Sequence, residues 1–460
     1  MTPRRVHLIG IGGAGMSSLA AVLAFRGATV SGSDREHDRG GNPELFRWLR
    51  DHGVRLFPQD GSGLADRYPE VVASGAVEAD VPELRAARAA GLPIRHRSEV
   101  LAAILHGGRG IAIAGTSGKS TVTAMVAWIL RSAGREPTFL GGAPLVAPPP
   151  GEDRPGAAPG PAAWAGSPGL VVAEADESDG SLVRYRPEVG VVTNLTADHR
   201  PLPELRTMFR TFAASVRGAL VVPFEDAEAG GLEAGVPRAR FGVSPGADPR
   251  AEAIETGRWV TTFRVGGTDF RLPLPGRFNV RNALAALAAS RHLGVPDAAA
   301  AEALSRFPGL SRRMERVGER RGVEVIDDFA HNPDKVAAAL DALRGVPGRL
   351  HVAFQLHGFG PARMHRAGLV EAFAAHLGPE DRLYLLPVYF AGGTVERRVT
   401  EADYVADLQA RGVDAVAEPR DPGLAARLAG SAREGDRVVV MGARDPSLPA
   451  LARDVLAALG

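Results

Sequence analysis

The chain has 460 residues, of which 45% are hydrophobic and 23% charged, with a formal net charge of +1 and no cysteine. This length exceeds what one hydrophobic core usually serves, so we expect two or three globular domains. The near-zero charge gives no overall attraction for nucleic acid or anionic membranes, and the lack of cysteine excludes disulfides and thiolate metal sites. No apolar run is long enough for a membrane span or signal peptide, so we expect a cytoplasmic protein.

The first segment reads as a strand over 6–10, a glycine-rich turn, a helix over 14–26 and a strand over 29–31. Asp34 follows the second strand where a ribose-binding carboxylate would fall in a dinucleotide-binding fold. Taken alone, the pattern predicts a pyrophosphate at a helix N-terminus, from either NAD or a UDP-sugar. We favour UDP because a second nucleotide site follows. Tight strand–turn–helix packing is the simpler alternative. The candidate UDP-substrate residues are Gly12, Gly13, Ala14, Gly15, Met16, Ser17 and Asp34.

A second glycine-rich turn follows the apolar run 111–113 and precedes a predicted helix over 119–133. Such a turn suits a nucleoside triphosphate, because backbone N–H groups and a helix N-terminus surround the phosphates. Lys119 is one of only two lysines in the chain and can reach the β- and γ-phosphates, while Ser120 can bind Mg²⁺. The candidate ATP-binding residues here are Gly115, Thr116, Ser117, Gly118, Lys119, Ser120 and Thr121.

Acidic residues follow the next predicted strand, over 170–173. Carboxylates at the end of a strand beside a phosphate-binding turn can hold Mg²⁺. We favour Glu174, which is nearest the strand end, and leave open the roles of Asp176, Glu177 and Asp179. His199 follows another predicted strand, over 189–192, and is a further candidate metal or substrate contact. On spacing alone it is equally well explained as a surface histidine.

The later candidate residues are less specific individually. Asn279 and Asn282 could read an adenine edge, although helix capping explains them equally well. Arg312 or Arg313 could neutralise a transferring phosphoryl group, and Asp327 or Asp328 could bind a ribose. His331 lies in the segment that follows these two aspartates.

Further apolar runs alternate with predicted helices along the chain. This alternation predicts three α/β blocks with parallel sheets, over 1–105, 106–310 and 311–460. The stretch 258–274 alternates as strands do, and 282–293 predicts a helix. The segment 148–169 is rich in Pro, Gly and Ala and predicts a surface insertion without regular structure. The other predicted strands are 219–222, 323–327, 350–354, 382–386 and 438–441.

Together these residues resemble the Mur ligase family over essentially the whole chain. The segment 10–17 with 31–34 is similar to its UDP-binding opening, and 115–120 matches its shortened phosphate-binding turn. The residues 174–179 with 198–199 match the segments that hold Mg²⁺ in the family. Asn279 and Asn282 match its adenine-binding pair, and 312–313, 327–333 and 354–357 match motifs of its C-terminal domain.

The resemblance implies an α/β fold of three domains: an N-terminal Rossmann-like UDP-binding domain, a central P-loop ATPase domain and a C-terminal Rossmann-like amino-acid-binding domain. It also implies an ATP- and Mg²⁺-dependent carboxylate–amine ligase that forms an acyl phosphate on a UDP-sugar carboxylate and couples it to an amino acid. In this reading Lys119, Glu174, His199, Arg312, Arg313 and His331 are catalytic, and Ser120, Glu174 and His199 bind the metal. Within the family, the order of segments is most similar to the branch that adds L-alanine in peptidoglycan synthesis.

Several residues depart from that branch. It usually has His at the position of Ser117, a second histidine at Asn332 and an arginine soon after His357. Gly393 stands where an acid is expected, and Arg444 where a glycine is expected. These departures cluster in the third block and leave the amino acid open. The alternatives are a related ligase for a recycled tripeptide or a non-wall acid, a catalytically silent homologue and, on the first glycine turn alone, an NAD-linked oxidoreductase. The oligomeric state is not predicted.

Overall fold

The computed structural model describes residues 4–65, 70–147, 161–196, 200–390 and 398–460. The chain divides into two compact units. The first consists of 1–254, 262–272 and 280–308, and the second of 255–261, 273–279 and 309–460. The predicted boundary at 105/106 lies inside the first unit, and the division into three domains stays a prediction.

The first unit begins with a sheet of strand order β3-β2-β1-β4-β5, in which neighbouring strands are parallel. Its strands are β1 (Arg5–Ile9), β2 (Thr29–Ser33), β3 (Arg55–Phe57), β4 (Glu70–Ala73) and β5 (Ile94–His96). Its helices are α1 (Ala14–Phe25), α2 (Arg35–Asp38), α3 (Pro43–Asp51), α4 (Pro82–Ala89) and α5 (Arg97–His106). The chain switches direction across the sheet between β1 and β4, which opens a crevice at the carboxyl ends of these strands.

A second sheet in this unit has the order β12-β11-β10-β6-β9-β7-β8. Its strands are β6 (Arg109–Ala114), β7 (Pro137–Leu140), β8 (Ala163–Trp164), β9 (Ser167–Glu174), β10 (Val189–Val192), β11 (Ala219–Pro223) and β12 (Arg238–Phe241). Its helices are α6 (Lys119–Ser132), α7 (Leu202–Ser215) and α8 (Ala227–Gly230). The strands pair in parallel, except that β8 runs antiparallel to β7. Because β6 lies between β10 and β9, the segments that follow these three strands meet at one edge.

Helix α6 lies inside the first unit. Every residue from Ser120 to Leu130 is buried, which fits a helix whose sequence has no charged residue between Lys119 and Arg131. Nε1 of Trp128 donates a 2.8 Å hydrogen bond to the carbonyl of Ala303. The helix that carries Lys119 at its start is therefore held by packing along most of its length.

The predicted surface insertion over 148–169 is wrong for its described part. Residues 161–169 contain β8 and the start of β9. The Trp164 ring is buried 4.3 Å from the ring of Phe139, and its Nε1 donates to the carbonyl of Pro137 at 2.8 Å. Residues 148–160 lie outside the described ranges. The buried indole and its hydrogen bond explain why this part is ordered despite its composition.

A smaller sheet has the order β13-β14-β15. Its strands are β13 (Glu252–Thr256), β14 (Thr261–Val265) and β15 (Thr268–Leu272), and they are followed by α9 (Arg277–His292) and α10 (Asp297–Ser305). The alternating stretch 258–274 therefore does form strands, as predicted. Helix α9 begins five residues before the predicted start at 282.

The main sheet of the second unit has the order β16-β17-β21-β18-β19-β20, parallel except for β16. Its strands are β16 (Glu315–Arg320), β17 (Val323–Asp328), β18 (Leu350–His357), β19 (Arg382–Tyr389), β20 (Ala415–Ala417) and β21 (Arg437–Gly442). Its helices are α11 (Pro333–Arg344), α12 (Phe359–His376), α13 (Glu401–Gln409), α14 (Leu424–Ser431) and α15 (Leu448–Ala458). In the ranges covered by the structure, no helix has both the length and the apolar character that a membrane crossing needs.

Candidate functional site

The second glycine turn joins β6 to α6 in the first unit. Gly115 and Gly118 have φ angles of 131° and 81°, which favour glycine. A Cβ atom on Gly118 would lie 2.6 Å from Oδ1 of Asn282, so the Asn282 side chain lies against this turn. The structure thus brings together the predicted phosphate-binding turn and one of the two predicted adenine-binding asparagines.

Lys119 begins α6 and is held by two sets of oxygen atoms. Its Nζ donates to the carbonyl of Gly115 at 2.6 Å and to the two carboxylate oxygens of Glu177 at 3.0 and 2.9 Å. Burial opposes the charge on Lys119, but the surrounding carboxylates, Glu177 first, outweigh that effect and raise its pKa. Burial also raises the pKa of Glu177, and Lys119 opposes this change. Lys119 is therefore protonated and oriented toward the glycine turn.

Glu174 ends β9 at the same edge of the sheet. Its Oε2 atom is buried and has no hydrogen-bond partner among the described residues. A Cβ on Gly142 would lie 2.6 Å from this oxygen, so only a glycine there leaves room for the carboxylate. A buried carboxylate oxygen without a donor is costly unless a cation or donor binds it. Glu174 thus fits Mg²⁺ chemistry, with the hydroxyl of Ser120 as a second oxygen donor at the start of α6.

The other acidic side chains of this segment also shape the backbone. Oδ1 of Asp176 accepts from the N–H of Ser178 at 3.0 Å, and Oδ1 of Asp179 accepts from the N–H of Ser181 at 2.9 Å. The predicted metal ligand His199 lies outside the described residues. Within those residues, no group of three or more His, Asp or Glu side chains is arranged to hold a metal ion.

Asn194 is a residue of this site that the sequence did not identify. Its Oδ1 accepts from the N–H and the hydroxyl of Thr116, at 3.1 and 2.7 Å, and from the N–H of Ser117 at 2.9 Å. Its Nδ2 donates to the carbonyl of Ser117 at 3.1 Å. These contacts fix the second glycine turn to the segment that follows the neighbouring strand β10. The available signal was a Thr-Asn pair directly after a buried strand.

The first glycine turn is closed by the end of β2. The N–H groups of Gly10 and Ile11 donate to the carbonyl of Ser33 at 2.9 and 3.0 Å. Oδ2 of Asp34 accepts from the N–H of Gly12 at 2.8 Å, and Oδ1 accepts from the N–H of Glu36 at 2.8 Å. The structure therefore brings Asp34 to the turn, where its carboxylate organises the backbone at the start of α1 and α2.

Arg312 and Asp327 pair at the carboxyl edge of the second unit's main sheet. Nε of Arg312 donates to Oδ1 of Asp327 at 3.3 Å, and Nη2 donates to the carbonyl of Gly442 at 2.6 Å. Oδ2 of Asp327 is buried without a partner in the described structure. Burial, only partly offset by Arg312, raises the pKa of Asp327 to about 6. Asp327 therefore retains an acceptor that a hydroxyl group could use.

Asp328 differs from its neighbour because both of its oxygens are used. It accepts from the backbone N–H groups of Met314 and Ala330, each at 2.7 Å. Burial raises the pKa of Asp328 despite these bonds. Asp328 therefore holds the backbone on either side of the Arg313 region in place. Because its oxygens are already used, Asp327 is the better candidate of the two for a ligand contact.

Aromatic rings surround the predicted residues His331 and Arg313. The rings of His331 and His357 are perpendicular with centroids 5.0 Å apart, and Nδ1 of His331 lies 2.8 Å from the carbonyl of Phe329. The guanidinium of Arg313 lies 4.5 Å from the Phe329 ring centre. Asn279, also in this unit, is buried and donates to the carbonyl of Pro275 at 2.8 Å. The second unit thus joins Arg312, Arg313, Asp327 and His331 at one edge.

Comparison with known proteins identifies the family. Three family models match successive parts of the chain: the Mur ligase family catalytic domain over 5–109, the Mur ligase middle domain over 113–290 and the Mur ligase glutamate ligase domain over 312–444. The chain belongs to the Mur ligase family. The predictions of a Mur ligase and of its α/β fold are confirmed. The boundaries at 105/106 and 310/311 and the roles of individual site residues stay predictions.

Several similar Mur ligases are named as ligases that act on UDP-N-acetylmuramate. The chain is 40% identical to the UDP-N-acetylmuramate–L-alanine ligase of Paenarthrobacter aurescens over 96% of this chain and 94% of that protein. It is 36% identical to the enzyme of the same name from Streptomyces avermitilis, with 96% and 95% covered. The crystal structure of UDP-N-acetylmuramate–alanine ligase from Thermotoga maritima matches with a TM-score of 0.78, 26% identity and 98% of each chain covered. A murein peptide ligase from Psychrobacter arcticus matches with a TM-score of 0.71, 25% identity, and 99% and 98% covered.

Proposed function

We propose that this chain is an ATP-dependent ligase that joins L-alanine to UDP-N-acetylmuramate in peptidoglycan precursor synthesis. The observation that carries the proposal is the arrangement of a protonated Lys119 and the unpartnered oxygen of Glu174 at one sheet edge. Relatives of that name, aligned over nearly the whole chain, support the choice of substrates. The reaction would take place in the cytoplasm, with the UDP-sugar and the amino acid as small-molecule partners.

In such a ligase, the γ-phosphoryl group of ATP passes to the substrate carboxylate, and the amine then displaces phosphate from the acyl phosphate to form the amide. Lys119 would bind the phosphate oxygens and stabilise their charge as the phosphoryl group moves. Glu174 and the hydroxyl of Ser120 would hold Mg²⁺, which neutralises charge on the phosphates when bound. The N–H groups of the glycine turn would orient the phosphates.

The first glycine turn supplies the second nucleotide site of the proposal. The turn between β1 and α1 lies at the point where the strand order reverses, which is where open α/β sheets bind nucleotides. We assign the UDP part of the substrate to this crevice. That assignment accounts for the glycine pattern without NAD, so the oxidoreductase alternative is set aside.

The second unit would contribute charge and amino-acid recognition. Arg312 and Arg313 would stabilise the phosphoryl group, Asp327 would accept from a ribose hydroxyl, and His331 would lie near the reacting groups. Asn279 and Asn282 keep their proposed adenine contacts. These roles follow from the family resemblance and from the side chains joined at the edge of the second unit's sheet.

The test is phosphate release from Mg²⁺-ATP with UDP-N-acetylmuramate, with and without L-alanine, and detection of the amide product by mass spectrometry. Release that requires both substrates would support the proposal. The likeness to murein peptide ligases, one of which is named for L-alanyl-γ-D-glutamyl-meso-diaminopimelate, makes this tripeptide the second amine to test. Release with the tripeptide and not with L-alanine would reassign the amine and keep the ligase chemistry, whereas no release with any amine would contradict the proposal.

A further inference from the structure

Arg97 lies beside the first glycine turn, although nothing in the local sequence pattern marks it. It is the first residue of α5, directly after β5, in a sheet where β1, β4 and β5 are parallel neighbours. The carboxyl ends of these strands therefore meet at one edge, and Arg97 lies at the same edge as the turn after β1.

The guanidinium of Arg97 occupies the space that a side chain at position 15 would fill. A Cβ atom on Gly15 would lie 2.7 Å from Nη1 and 3.1 Å from Cζ of Arg97. Gly15 has no positive φ that would require glycine. The reason for a glycine at this point of α1 is the close approach of the arginine, so the glycine turn and the guanidinium form one structure.

The hydrogen-bond donors of Arg97 are poorly used by the protein. Its side chain is only 13% exposed, and its nearest carboxylate oxygen is Oδ2 of Asp179, 3.9 Å from Nη2. That distance is too long for a hydrogen bond, and Arg97 donates none to the described residues. His96 holds a similar position, with Nε2 3.7 Å from the same oxygen. Asp179 is thus a carboxylate that both side chains approach without a hydrogen bond.

A guanidinium that is largely buried and makes no hydrogen bond is expensive unless an anion binds it. Its planar donors match phosphate oxygens in a bidentate arrangement. We propose that Arg97 binds the diphosphate of the UDP-sugar at the first glycine turn. This inference rests on the proposed function, because it assigns a contact to the substrate of that function. Asp179, which belongs to the acidic segment after β9, keeps the guanidinium near the turn without consuming its donors.

The proposal makes Arg97 a substrate-binding residue whose effect is confined to the UDP-sugar. The Arg97→Gln variant should weaken UDP binding at least about tenfold, the usual size for loss of a charge-assisted hydrogen bond. Arg97→Lys keeps the charge but loses the bidentate geometry. Its affinity for UDP should therefore lie between those of the wild type and Arg97→Gln. ADP binding, which depends on the second glycine turn, should stay within about twofold of the original value.

The experiment is calorimetric titration of the full chain with UDP and, separately, with Mg²⁺-ADP. Arg88→Gln is the matched control, because it removes the same charge from an exposed position on α4. If the wild type binds UDP and Arg97→Gln binds it with the same affinity, the inference is overturned. Equal losses of UDP and ADP affinity in both Arg97 variants would also overturn it, because they would show a general structural role. If the wild-type chain binds ADP but no UDP, the UDP assignment of the proposed function fails, and the inference falls with it.

A kinetic measurement separates substrate contact from folding. Arg97→Gln should raise the KM for UDP-N-acetylmuramate by a similar factor while the KM for ATP is unchanged. A fall in kcat with both KM values unchanged would contradict a role in substrate binding.

Discussion

The ammonium group of Lys119 lies 2.9 Å from Oε2 of Glu177, a carboxylate that is itself almost completely buried. The sequence assigned Lys119 to phosphate and favoured Glu174 among the acidic residues, but it left the role of Glu177 open. The pairing explains how a buried lysine stays charged. It also leaves the oxygen of Glu174 available for a cation, because Glu177 and not Glu174 satisfies the lysine.

Replacing Lys119 should stop phosphoryl transfer. We expect Lys119→Met to lower the rate of phosphate release by at least about 100-fold, because the variant loses the charge that stabilises the transferring group. UDP binding, at the other glycine turn, should be unchanged. Lys335→Met is the matched control, since it makes the same chemical change at the other lysine and should keep most of the activity. Loss of UDP binding together with turnover would show that the two nucleotide sites are not separable.

Asn194 should be needed to shape the phosphate-binding turn. Asn194→Ala removes three acceptor contacts to Thr116 and Ser117 and one donor contact to Ser117. Because each net hydrogen bond contributes about 1 kcal/mol, we expect the KM for ATP to rise about tenfold or more. The KM for the UDP-sugar should not change. Steady-state kinetics in each substrate provides the measurement, and a lower KM for ATP would mean that Asn194 competes with phosphate instead of ordering the turn.

The sequence predicts elements that are specified by neighbouring residues. Strand β10 has the predicted bounds because four apolar residues stand between polar or proline-containing segments. Helix α6 begins at Lys119 as predicted, where Gly118 ends the turn with a positive φ. Strand β8 was missed because two residues in a Pro- and Gly-rich stretch become a strand only by pairing with Phe139 and Leu140, far away in the chain.

The candidate site shows the same limit. Motif spacing predicts site roles for Lys119, for Glu174 and for Asp327 or Asp328, because the chemistry of these side chains is evident from the sequence. Asn194 and Arg97 are brought to the two glycine turns by strand order, which places β10 beside β6 and places β5 at the edge of the first sheet. Residues of this kind cannot be found from local spacing, because their partners come from distant segments.

Asp327 should make stability depend on pH in a defined direction. Its pKa is about 6 in the folded chain against an ordinary value of 3.8, so the folded state binds the proton more tightly. The contribution of Asp327 to stability is therefore present below about pH 4 and is lost as the pH rises to about 6. The full difference is about 3 kcal/mol. Thermal unfolding of Asp327→Asn and wild type should show the variant gaining relative stability between pH 4 and 6, with a constant difference above pH 7. A difference that does not change with pH would contradict the raised pKa.

Glu324 should be a major contributor to the stability of the second unit. This fully buried carboxylate accepts from Nε of Arg258 at 2.8 Å and from Nε1 of Trp259 at 2.6 Å, and it lies 3.0 Å from Nε of Arg316. It therefore fixes the segment 255–261 to strand β17 within that unit. Glu324→Ala would leave the indole N–H of the half-buried Trp259 and the guanidinium of Arg258 without this acceptor, while Arg316 would keep its pair with Glu319.

We expect Glu324→Ala to destabilise the second unit by about 2–4 kcal/mol, near the lower end for a broken buried ion pair because both arginines are partly exposed. Glu319→Ala is the matched control. It removes a carboxylate that pairs with the same Arg316 but is 40% exposed, and it should cost less than about 1 kcal/mol. Thermal and urea unfolding of the full chain measure both variants. If both variants lower the free energy of unfolding by the same small amount, the contacts of Glu324 stabilise the unit by no more than its burial costs. In that case apolar packing holds the segment 255–261.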